Sequence, residues 1–116
     1  MPNFTHRQLT HIRKRAEIVA KDYEGEMLDL SPRELASALE AVDVLIDVDE
    51  TTGELPEDWR PSEQQRAWLY FETGLAISIM HRTLEGDDCP KHLRPGMIED
   101  LELNQSIRRD LMEIVQ

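Results

Sequence analysis

Three short signals mark helix starts in this chain: T-H-R-Q from Thr5, S-P-R-E from Ser31 and S-E-Q-Q from Ser62. In each, a hydroxyl side chain stands three residues before a glutamine or glutamate. That is the capping-box pattern, in which the two side chains satisfy backbone N–H groups that the first helical turn leaves without partners. Pro32 strengthens the second signal, because proline is preorganised for the first helical position. A chain punctuated in this way is constrained to helices joined by loops.

Apolar residues follow each start at helical spacing. Leu9, Ile12, Ala16, Val19 and Tyr23 form the first stripe, with Gly25 as its stop. Leu35, Leu39, Val42 and Ile46 form the second, widened by Ala38 and Leu45. From Ala67 to Met80 apolar residues lie on nearly every face of the third helix. A helix apolar all round is a central one, buried by several neighbours or by a second subunit. Gly74 in its middle costs up to about 1 kcal/mol against alanine, and a close helix–helix approach would explain it. A fourth stripe, Ile98, Leu101, Ile107, Leu111 and Ile114, begins near Pro95. No run alternates apolar and polar residues as a strand would. The expected fold is therefore all-α, a compact four-helix bundle-like domain with helices near 5–24, 31–47, 62–85 and 95–115. Residues 1–116 form a single domain by the usual size argument.

Charge narrows the function classes. The 116 residues carry a net charge of −11. Residues 1–23 hold Arg7, Arg13, Lys14, Arg15 and Lys21 against Glu17 and Asp22, so the first helix is basic and the remainder strongly acidic. Such a field repels nucleic acid and anionic membranes and attracts basic partners. The basic helix is expected to be solvated or to pair with the acidic rest of the same chain. One cysteine, Cys89, leaves no internal disulfide, which with the lack of an apolar leader or membrane-length run points to the cytoplasm.

The densest acidic stretch is D-V-D-E-T-T-G-E-L-P-E-D, Asp47 to Asp58. A calcium loop of the EF-hand kind wants glycine at position six, an apolar residue at eight and a bidentate glutamate at twelve. Here Gly53 falls at seven, Leu55 at nine and the shorter Asp58 at twelve, and Pro61 prevents a helix from running straight out of the loop. The stretch therefore reads as a fifteen-residue acidic connection, from Asp47 to Pro61, between the second and third helices. Loops that long in a compact domain are often functional.

Other chemistry is thin. The tetrads Glu54–Glu57 and Glu85–Asp88 have the outline by which helical nucleoside-triphosphate pyrophosphohydrolases hold magnesium, but Pro56 and Gly86 break the helices that chemistry needs. Cys89-Pro-Lys-His92 is half of a zinc site, without its complement. No nucleophile, base and orienting group assemble, and no glycine-rich phosphate loop is present. No catalytic residue, metal ligand or cofactor is assigned, and the chain is expected not to be an enzyme.

The expected function is that of a small acidic protein–protein interaction module, with a homodimer suggested by the apolar third helix. Inhibitors that phages and mobile elements direct at restriction or CRISPR machinery share this size, charge and helicity. They place carboxylates on a basic surface built for phosphates, since both present negative oxygens to Lys and Arg. The partner-binding residues expected here are Asp47, Asp49, Glu50, Glu54, Glu57 and Asp58, with Trp59 as an aromatic anchor. The alternatives are a helical structural or assembly subunit, such as one of a phage head or tail, a divalent-metal module, or a magnesium-dependent nucleotide hydrolase.

Overall fold

Capping chemistry sets the helix starts. In the computed structural model, which describes residues 3–25, 29–86 and 89–114, α1 spans His6–Asp22, α2 Pro32–Ile46, α3 Glu63–Glu85 and α4 Arg94–Leu111. Thr5 and Gln8 close a full capping box on α1, and Ser62 and Gln65 close one on α3. On α2, Ser31 Oγ accepts the Glu34 N–H and its hydroxyl donates to the Glu34 carboxylate at 2.9 Å. The start of α4 has no side-chain cap. A turn closed by the Leu93 N–H on the Pro90 carbonyl, at 3.0 Å, leads into it, and Pro95 sits in its first turn.

The expected all-α architecture is what the structure shows, and among the described residues there is no strand. Parts of three expectations fall outside them: the connection between the first two helices at 26–28, the last two residues of the Glu85–Asp88 tetrad, and the end of the fourth helix at Val115. Helix α1 packs chiefly on α2 and α3 chiefly on α4, while α2 and α3 join the two pairs. Ile12, Ala16, Val44, Trp68, Leu69 and Ile107 sit at the centre of the core, each at most 2% exposed.

Helix α2 does not bury the stripe its spacing suggested. Its inner face is Ala38, Ala41 and Val44, with Leu45 partly covered. Leu39, Val42 and Ile46 are exposed, Ile46 to 72%. The physical reason is size: Ala41, like Ala16 of α1, is fully buried, and small side chains let helix backbones approach closely. A leucine stripe would have held the two helices further apart.

Helix α3 is not a central helix. One face, Gln65, Trp68, Leu69, Glu72 and Thr73, is buried, whereas Tyr70, Phe71, Leu75 and Ile79 are 43–54% exposed. Gly74 is explained by a side chain rather than by a neighbouring backbone. The Arg108 guanidinium of α4 crosses the helix there, so that a Cβ would stand 2.9 Å from Nη1, and it stacks on the Tyr70 ring at 3.9 Å. On α4 Leu101, Ile107 and Leu111 are buried as expected, but Ile98 is 42% exposed.

Candidate functional site: an acidic loop on a fixed mount

The connection from α2 to α3 is held by its own side chains. Asp47 ends α2, and its Oδ2 accepts the Trp59 indole N–H at 3.0 Å and the Gln65 amide at 2.7 Å. Gln65 is also the residue whose Oε1 caps α3 by accepting the Ser62 N–H at 2.7 Å. One carboxylate therefore ties the end of α2, the end of the loop and the first turn of α3 together.

Between these ties the backbone folds tightly. Asp49 Oδ1 accepts the Thr51 N–H at 2.7 Å, an Asx turn. The Asp49 N–H donates to the Glu54 carbonyl at 2.9 Å, and the Gly53 N–H donates to the Asp49 carbonyl at 2.7 Å. Gly53 has a φ of +69°, a conformation other residues adopt only with strain. Leu55 and Trp59 then turn into the core, at 4% and 5% exposure, and Trp59 packs on Phe4 with ring centroids 6.1 Å apart.

This geometry sorts the residues singled out from sequence. Trp59 is not a displayed anchor. Burial of its ring against Phe4 and its N–H bond to Asp47 make it a structural post. Asp47 is committed to the same post. Glu54 is half-covered and its carboxylate stands 3.7 Å from His6 Nδ1, an ion pair when His6 is protonated. Asp49, Glu50, Glu57 and Asp58 are exposed, with Asp49 additionally fixed by its turn. Six carboxylates thus lie within twelve residues that contain no basic side chain.

The metal readings find no geometry. Among the described residues no three His, Cys, Asp or Glu side chains converge on a cation position. Asp49 Oδ1, a would-be calcium ligand, is taken by backbone N–H groups. Cys89 is buried with its Sγ 3.8 Å from the Pro90 carbonyl, while His92 is exposed. The basic first helix pairs internally, as its charge suggested: Arg7 with Glu99, Arg13 with Glu17 at 2.9 Å and Arg15 with Glu72.

No family model, curated protein or solved structure matches the chain.

A second organised region was not anticipated. Helix α1 turns Gln8, His11 and Arg15 towards α3 and α4. Gln8 Nε2 donates to Ser106 Oγ at 3.1 Å and to Asp110 Oδ2 at 2.9 Å. His11 Nε2 donates to Asn104 Oδ1 at 3.2 Å, and Asn104, 1% exposed, donates to the Asp100 carbonyl at 2.8 Å. Arg15 reaches the buried Glu72, with Nε 2.9 Å from Oε1. Burial holds the His11 imidazole below its ordinary value of 6.5, against an opposing pull from its Asn104 bond and from Asp100. The sequence signal was available: Gln8, His11 and Arg15 lie at helical spacing, and Asn104 interrupts the Leu101–Ile107–Leu111 stripe.

Proposed function

We propose that the protein is a non-enzymatic interaction module whose acidic loop engages a basic protein surface, of the kind that binds nucleic acid. The supporting observation is the mounting of the loop. Glu50, Glu57 and Asp58 are exposed on a segment pinned at both ends by Asp47, Trp59 and Leu55, so little conformational freedom is lost when they meet a partner. Preorganisation of this kind raises affinity without new contacts. Carboxylates carried on such a backbone present to Lys and Arg the same negative oxygens as a phosphate backbone. As an inhibitor, the protein would exclude nucleic acid by occupying that surface.

Pull-down from host extract with the full chain tests this. A captured protein should elute as salt rises, because exposed charge pairs are screened. It should also be displaced by added DNA or RNA. The Glu50→Gln, Glu57→Gln, Asp58→Asn triple variant should capture about threefold to about a hundredfold less, each exposed pair contributing about 0.2–1 kcal/mol. Equal capture by the variant, or capture that nucleic acid does not disturb, would overturn the proposal.

A further inference from the structure

The surface opposite the buried polar contacts of α3 has a composition unlike the rest of the molecule. From Ala67 to Met80 the only charged side chain is Glu72, and it faces inward to Arg15. The outward positions, Ala67, Tyr70, Phe71, Leu75, Ser78 and Ile79, are all exposed and uncharged, in a chain of which 32% is charged. Ile18 of α1, 45% exposed, borders the same cavity as Ile79 and extends the patch. Contiguous exposed apolar patches of this kind on a monomer are commonly functional.

Two arginines from the neighbouring helices lie on the aromatic rings of the patch. Arg33 of α2 lies 4.7 Å over the Phe71 ring, and Arg108 of α4 lies 3.9 Å over Tyr70. Between α2 and α3 runs an open groove of ≈ 400 Å³, with Ala36, Ser37, Phe71 and Leu75 in its walls and the charged Arg33, Glu34 and Glu40 along the α2 side. Exposed aromatic rings with arginines stacked on them are the make-up of a protein–protein interface.

We propose that this face of α3 binds the same face of a second copy, forming a two-fold dimer. Charge selects the second copy as occupant. Two chains of net charge −11 repel, so they pair best where each presents no carboxylate, and the exposed side chains of α3 from Ala67 to Met80 include none. The exposed stripe of α2 does not, since Glu40, Asp43 and Asp47 interleave with Leu39, Val42 and Ile46. A basic partner gains nothing from a face without carboxylates.

Sedimentation and light scattering of the full chain decide the matter. The expected mass is twice 13.5 kDa, falling to one chain on dilution. The Leu75→Glu, Ile79→Glu variant should remain helical by circular dichroism, since both side chains are about half exposed, yet run as a single chain. Ile46→Glu, on the α2 stripe, should leave the dimer intact. Salt should tighten the dimer several-fold between about 0.05 M and about 0.5 M, because it screens the mutual repulsion. That sign is opposite to the one expected for the acidic loop and its basic partner, so the two proposals fail separately. A wild type that is one chain at every concentration overturns the dimer. So does a dimer that survives the α3 variant or is lost in Ile46→Glu.

Discussion

The two faces of α3 depart from the usual sorting of side chains. Its inner face sets Gln65, Glu72 and Thr73, at 3–7% exposure, beside the buried Trp68 and Leu69, and its outer face carries Tyr70, Phe71, Leu75 and Ile79 at 43–54%. The inner polar groups are satisfied: Thr73 donates to the Leu69 carbonyl at 2.7 Å, Glu72 accepts from Arg15, and Gln65 holds Asp47. Hydrogen bonds are directional, so Glu72 and Gln65 fix how α1 and the end of α2 lie on α3 as apolar side chains would not. The outer apolar face has no such ties within the chain. One face specifies the fold, and the other is left for association.

The sharpest way to break this contrast is through Arg15 and Glu72. Their ion pair differs in exposure, with the Glu72 side chain at 9% and Arg15 at 35%. Replacing Arg15 by methionine leaves a covered carboxylate without its guanidinium, and should lower stability by about 2–3 kcal/mol, less than the roughly 3–5 expected for a fully buried pair because Arg15 is partly solvated. Glu72→Leu should cost less, since the freed arginine reaches water. The Arg15→Met, Glu72→Leu double variant should recover most of the loss, as matched apolar replacements of buried pairs do. Urea unfolding of the three variants gives the coupling. Additive losses would mean that the inner polar face carries no specific pairing.

A smaller effect should come from His11. Its folded value lies below the unfolded one because burial disfavours the charged ring. A group of that kind leaves the unfolded state binding more protons, so stability rises with pH and is fully present above the unfolded value of 6.5. As pH falls through 6.5 towards the depressed folded value, that contribution is lost. Wild-type melting temperature should therefore fall between about pH 7.5 and about pH 5.5, and His11→Gln, which keeps a donor for Asn104 and cannot titrate, should fall less. Parallel curves for the two proteins would show that the α1–α4 contact is indifferent to the ring's charge. The groups facing His11, Arg15 of its own helix and Asn104, Asp100 and Glu72 of neighbouring ones, are common to both proteins.

The helix starts were legible from sequence because capping is local: three or four residues decide it, and Thr5, Ser31 and Ser62 all cap as their spacing indicated. Faces were less legible because several arcs of one helix can be apolar. On α2 the alanines at 38 and 41 won over the leucine stripe, since contact distance to α1 is set by a neighbour that spacing does not reveal. On α3 an all-round apolar helix was compatible with a central position or with an outer one. In the acidic loop the density of carboxylates was visible, but its division into structural Asp47 and displayed Glu50, Glu57 and Asp58 depends on where Trp59 turns, twelve residues downstream of Asp47.

The smallest effect tests the outer face alone. Ile79 is 54% exposed, so most of its side chain already meets water in the single chain. Ile79→Gln should change the unfolding free energy of dilute, monomeric protein by less than about 0.5 kcal/mol, the usual range for surface substitutions. Glutamine is also a good helix former, which removes propensity as a confounding cause. At high concentration the wild type should gain stability from association, because a ligand that binds only the folded state raises apparent stability by mass action. The variant should gain less. A melting temperature that rises with concentration for wild type and stays flat for Ile79→Gln would separate the outer face from the fold. A large loss in dilute solution would instead place Ile79 among the residues that hold the chain together, and the division of α3 into a specifying face and an associating face would fail.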